Sequence, residues 1–68
     1  MKDDAKKLGA NLKRIRNQKH ITQTELARTL GIDKSFLSNI ENGKTNPTLS
    51  TITNLAQALS VSTNMLLK

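Results

Sequence analysis

TQTELARTLGIDKSFLSNIENG, residues 22–43, reads as two short helices separated by a tight turn. Thr22 and Glu25 have capping-box spacing: the Thr hydroxyl accepts from the backbone N–H three residues on, and the Glu carboxylate reaches back to the Thr N–H. A helix is therefore expected to open at Thr22. Leu26, Ala27 and Leu30 give it an apolar side, and Gly31 is placed to end it in a left-handed turn. Ile32 then plugs the turn into the core. Asp33 is the next N-cap candidate, and the second helix runs to Asn42, before Gly43.

On a helical wheel of about 100° per residue, Phe36, Leu37 and Ile40 share one side of the second helix, with Glu41 at its edge. Lys34, Ser35, Ser38, Asn39 and Asn42 fill the opposite arc. A solvated face is usually rich in Glu and Lys; this arc holds one Lys, no acid and two carboxamides that both donate and accept. Asn pairs bidentately with adenine, Lys bonds guanine acceptors, and Ser bonds several base edges. Two readings of the arc stand side by side on these residues: a short polar surface helix, or a face that reads DNA.

The pattern resembles the Cro/repressor helix-turn-helix family, also called the XRE family. The resemblance rests on TQTELA, Gly31, Ile32, SFLSNIENGK and NPTL, and extends upstream through LGANLKRIR and downstream through LAQALSVS. It implies an all-α, compact five-helix, lambda-repressor-like DNA-binding domain. The helices are expected over about 4–19, 23–30, 34–42, 49–59 and 63–67, in one domain spanning 1–68. By position, the resemblance implies base contacts from Lys34, Ser35, Ser38 and Asn39. It implies phosphate contacts from Gln23, where the helix N-terminal amides assist, and from Asn42, Lys44 and Thr45. The plain structural alternative for Gln23 is a neutral first-turn residue. Asp33 departs from the family's usual Ser or Thr, which removes a phosphate contact from that position.

Sixty-eight residues allow one small domain. Such a chain buries only about 60% of its unfolded surface, so helix packing, helped by dimerisation, has to stabilise it. Without Cys there is no disulfide framework and no thiolate metal site. The longest uncharged run, Thr45–Leu67, is too polar to span a membrane, and nothing resembles a signal peptide, so a soluble cytoplasmic protein is expected. The net charge of +6 suits a polyanionic partner. Seven of the eleven basic residues precede Ile21, whereas Thr45–Leu67 carries no charge. This predicts a molecule with one basic side and one neutral side.

Along the chain, Met1 to about Asp4 is expected as a frayed start, with Asp3 or Asp4 capping the first helix. Leu8, Leu12 and Ile15 form that helix's stripe. Gly9 lowers its helix propensity and points to close packing. Lys6, Lys7, Lys13, Arg14 and Lys19 read first as solvent-facing. Arg16 returns to the apolar side four residues after Leu12, as Glu41 does after Leu37, and opposite charges at the edges of two apolar faces predict an ion pair. The resemblance implies the same bridge between helix one and the recognition helix.

His20, the only histidine, stands where the family usually has Gly; it tolerates a left-handed turn and has no second metal ligand in reach. Phe36 is assigned to the core, with a thymine-methyl contact as the secondary role that the family implies. Pro47 stops extension of the preceding helix and Thr48 caps the fourth, whose stripe is Leu49, Ile52, Leu55, Ala56 and Leu59. Ser60 replaces the family's usual Gly, so its turn is expected to be strained. Val61 packs inward and Ser62 caps a last helix ending in Met65, Leu66 and Leu67. The resemblance implies a dimer interface at these three residues; closure of the monomer core by them is the alternative.

No catalytic residue, cofactor or metal is expected: one His, no Cys, five acids and no nucleophile or phosphate-loop motif exclude ordinary enzyme chemistry. The resemblance points to a sequence-specific transcriptional regulator of bacterial or phage type. It would bind double-stranded DNA as a homodimer and repress from an inverted-repeat operator. A restriction–modification controller is one variant. An antitoxin, with a toxin as protein partner on the uncharged C-terminal part, is the competing reading.

Overall fold

The computed structural model describes the backbone of residues 2–68 and side chains from Asp4 onward. Five helices follow in order: α1 (Lys2–Gln18), α2 (Gln23–Leu30), α3 (Lys34–Glu41), α4 (Leu49–Ala58) and α5 (Thr63–Leu67). Among the described residues there is no strand. Helix α1 opens earlier than expected, at Lys2, so Asp3 and Asp4 lie inside it rather than at its cap. The expected frayed start at Met1 lies outside the described residues.

The helix starts follow side-chain chemistry unevenly. At α2 both halves of the capping box are made: Glu25 N–H donates to Thr22 Oγ1 at 3.0 Å and Thr22 N–H donates to Glu25 Oε1 at 2.9 Å. At α4, Thr48 Oγ1 accepts from Thr51 N–H at 3.2 Å. Asp33 and Ser62 occupy the N-cap positions of α3 and α5 in extended geometry, but neither side chain makes a cap bond.

The helix ends share one device. After α1, α2, α3 and α4, a residue with positive φ turns the chain: His20 (59°), Gly31 (70°), Gly43 (71°) and Ser60 (59°). In each case the next amide donates back five residues, Ile21 to Arg16 O, Ile32 to Ala27 O, Lys44 to Asn39 O and Val61 to Ala56 O. This is the Schellman closure, which satisfies carbonyls that the helix end leaves open. Gly adopts the left-handed conformation at no cost, whereas at His20 and Ser60 it costs about 1–2 kcal/mol each. Ile21, Ile32 and Val61 then pack against the core directly after their turns. They are the apolar contacts that usually accompany this closure.

The helices touch in a closed ring. α1 packs on α3 and α5, α2 packs on α3 and α4, and α4 packs on α5. Leu8, Leu12, Ile15, Leu26, Ala27, Leu37, Ile40, Ile52, Leu55, Ala56, Leu59 and Leu66 fill the centre. Burying each Leu or Ile contributes about 1.5–3 kcal/mol. Gly9 lies where α1 crosses the end of α3: a Cβ there would overlap the carbonyl oxygens of Ile40 and of Glu41, the latter at 2.6 Å. The close approach outweighs the helix propensity that Gly forfeits, about 1 kcal/mol.

Three expectations change. Leu49 is 72% exposed: it is the first residue of α4, and burial on that helix begins one turn later, at Ile52. Phe36, assigned to the core, is 37% exposed, because it sits in the first turn of α3, where Leu37 and Ile40 point inward and leave it at the margin. Leu66 is fully buried, and Asn11 Nδ2 donates to its carbonyl at 2.9 Å, so it closes the monomer core instead of lying on a free surface. Met65 and Leu67, on either side of it, are exposed.

Candidate nucleic-acid interface

One buried carboxylate fixes the orientation of α3. Arg16 Nε donates to Glu41 Oε2 at 2.6 Å and Arg16 Nη2 donates to Glu41 Oε1 at 3.1 Å. The pair is bidentate, the geometry in which guanidinium–carboxylate bonds are strongest and most directional. Arg16 Nη1 donates to Ile21 O at 2.7 Å, tying the same guanidinium to the turn before α2. Gln23 Nε2 donates to Glu41 Oε1 at 2.8 Å. The last turn of α3 is thereby bonded to α1 and to the first residue of α2. Both charged residues are less than a tenth exposed, and no buried side-chain nitrogen or oxygen among the described residues lacks a partner.

The Gln23 contact was not legible from spacing. Gln23 and Glu41 are eighteen residues apart and only the fold brings them together. It alters what Gln23 offers to a ligand. A primary carboxamide has two N–H donors; Glu41 occupies one, and the other remains for an external acceptor while the side chain is held in place.

The opposite side of α3 is open. Lys34, Ser35, Asn39 and Asn42 are exposed and Ser38 is half-buried. Among the described residues, the side chains of Lys34, Ser35 and Asn39 make no hydrogen bond, whereas Asn42 Nδ2 lies 3.4 Å from Ser38 Oγ. Four polar side chains thus stand on one eight-residue helix, with Asn42 at its C-cap as a fifth, and its inner side is locked by Leu37, Ile40 and Glu41. Phe36 flanks this arc, with part of its ring in solvent. Lys44 is exposed and Thr45 half-buried in the loop that follows. Asp33, which caps nothing, adds an exposed carboxylate at the entrance to the helix.

The Glu25 carboxyl is held below the ordinary range, first by the Thr22 backbone N–H, then by the Thr22 hydroxyl and the charge of Arg28. This belongs to the capping box and not to ligand chemistry. An open groove between α2 and α4, lined by Thr29, Leu30, Asn54, Gln57 and Ala58, contains no acid, base or nucleophile. Among the described residues no cluster could hold a metal ion, and no helix is long and apolar enough to cross a membrane.

The family model described as "Helix-turn-helix" matches residues 12–66. The chain is similar to the ImmF control region 10 kDa protein of Bacillus phage phi105, with 43% identity over 63 residues, covering 93% of this chain and 70% of that protein. Its fold is similar to the crystal structure of the restriction–modification controller protein C.AhdI from Aeromonas hydrophila. The TM-score is 0.89 at 34% identity, over 94% of this chain and 97% of the other. It is also similar to SinR, a master regulator of biofilm formation, in a crystal structure of that protein with DNA. There the TM-score is 0.82 at 37% identity, over 90% of this chain and 98% of the other.

Proposed function

The chain belongs to the helix-turn-helix family, and from that membership we propose that it is a sequence-specific transcriptional repressor which binds an inverted-repeat operator as a dimer. α3 lies in the major groove. The observation that carries this reading is the two-sided construction of α3: an inner side fixed by a buried, fully bonded carboxylate, and an outer side of exposed, neutral, hydrogen-bonding groups. A helix held that firmly presents its outer groups in one geometry, which base readout requires.

Lys34, Ser35, Ser38 and Asn39 read base edges. Lys34 is suited to guanine acceptors and Asn39 to adenine. The exposed part of the Phe36 ring is available to a thymine methyl. Gln23, Asn42, Lys44 and Thr45 meet phosphates, Gln23 through the carboxamide N–H that Glu41 leaves unused. These contacts set register and orientation without carrying sequence information. SinR, which is similar in fold, is seen in complex with DNA, and this supports double-stranded DNA as the ligand here. One chain extends 28 Å at most and carries one α3, so reading successive major grooves about 34 Å apart takes a second copy. Met65 and Leu67 are the exposed apolar residues that a partner copy would cover in the C-terminal region.

Selection of binding sites from a random duplex pool at near-physiological salt tests the reading. The expected result is an inverted repeat whose half-sites lie about one helical turn apart. Asn39→Ala should then relax specificity at one base pair per half-site, by about 1–3 kcal/mol. Salt-sensitive binding with no enriched sequence would overturn it in favour of a fold used for a protein partner.

A further inference from the structure

The turn that ends α3 is built differently from the other three. After His20, Gly31 and Ser60 the next residue is Ile21, Ile32 or Val61, and each packs against the core. After Gly43 the corresponding residue is Lys44, which is exposed. Backbone closure is the same, since Lys44 N–H donates to Asn39 O at 2.9 Å. The missing apolar plug is replaced from elsewhere: Lys6, on the first turns of α1, lies directly over Gly43. A Cβ built on Gly43 would sit 2.9 Å from both the Cα and the Cγ of Lys6. The aliphatic stem of Lys6 covers this turn while the residue as a whole stays exposed. A lysine whose stem lies on apolar or backbone surface directs its ammonium outward.

The geometry points to Lys6 as a phosphate-contacting residue that acts together with Lys44, across the turn that closes the recognition helix. This rests on the DNA-binding reading above and deepens it. The sequence does not distinguish Lys6 from its neighbour Lys7, both read as solvent-facing; the packing does. On the α1 wheel, at about 100° per residue, Lys6 shares the side of Gly9, which abuts α3. Lys7 falls toward Asn11, whose amide is bonded to α5. Two adjacent lysines in the sequence therefore face different parts of the molecule, and only one borders the DNA-facing loop. Gly43 serves two ends: it takes the positive φ and it makes room for the Lys6 backbone.

The test compares Lys6→Ala, Lys6→Arg and Lys7→Ala on the selected operator and on a random duplex of equal length, between 50 and 200 mM salt. Thermal melting checks that each variant is folded. Each phosphate contact contributes about 0.9 to the slope of log affinity against log salt, or roughly a threefold change across that range. Lys6→Ala should lower affinity for both duplexes alike and flatten the slope by about one contact. Lys6→Arg should keep both, and Lys7→Ala should match the unmodified chain. A folded Lys6→Ala with unchanged affinity and slope, beside a parent that selects and binds its operator, overturns the inference alone. Loss confined to the operator also overturns it, because a phosphate contact does not read sequence. A parent chain that binds no duplex overturns the DNA-binding reading, and this inference with it.

Discussion

Glu41 receives three hydrogen bonds from two residues on two other elements. Deleting either end of the ion pair leaves a charge in an interior that cannot solvate it. Arg16→Ala should therefore cost about 3–5 kcal/mol. A chain of this size has about 3–10 kcal/mol in all, so the variant should lose roughly a third or more of its stability. Urea denaturation checks this. Replacing both partners, Arg16→Met with Glu41→Leu, should melt above either single change, because no charge is then stranded. Retention of full stability by Arg16→Ala would mean that water reaches Glu41. A second residue-scale effect follows from Glu25. Its carboxyl titrates below the ordinary value, so its contribution is fully present at pH values well above the ordinary carboxylate range. That contribution disappears as pH falls through the lowered folded value. The melting-temperature gap between the parent chain and Glu25→Gln should accordingly be open at neutral pH and narrow as the solution is acidified below the ordinary carboxylate range. A gap independent of pH would assign the effect to packing instead.

For the elements, local chemistry in the sequence went a long way. The Thr22–Glu25 box, Gly31, Pro47 and Thr48 mark helix boundaries because each satisfies or blocks a specific backbone group. The left-handed turns at His20 and Ser60 were legible only through the family resemblance, which usually has Gly at both positions. What local chemistry does not encode is the edge of the ring of helices. Leu49 and Phe36 fit their wheels and yet stand out of the core, since a wheel gives direction and not depth. The Gln23–Glu41 bond and the cover of Lys6 over Gly43 depend on crossing angles that no single segment specifies. Gly9 shows the two levels opposed. Gly9→Ala would gain about 1 kcal/mol of helix propensity, but its methyl meets the backbone of α3, which cannot rotate away. Overpacking of this kind costs about 1–3 kcal/mol. The variant should therefore melt lower than the parent, and it should bind the operator more weakly than its folded fraction explains, because α3 has shifted. A higher melting temperature would show that α1 and α3 separate easily.

Across the whole molecule, the charge asymmetry read from the sequence has a structural counterpart. α1 carries most of the basic residues and packs on both α3 and α5, whereas α4 and α5 carry no charged residue and complete the ring. On the proposed reading, the side offered to DNA and the side offered to a second copy come from different halves of one small core, with Leu66 as the bolt between α5 and α1. A fully buried Leu66 also limits what association between copies can draw on: Met65 and Leu67 are available, and the residue between them is not.

The two-sided build of α3 has a consequence over evolutionary time. Leu37, Ile40 and Glu41 carry its packing and its ion pair, so the exposed positions Lys34, Ser35 and Asn39 can change without refolding the domain. A duplicated copy of this chain could acquire a new DNA address by drift at a few surface codons while its scaffold stayed under constraint. Diversification of targets and preservation of the fold would then be separate processes acting on alternate residues of a single eight-residue helix.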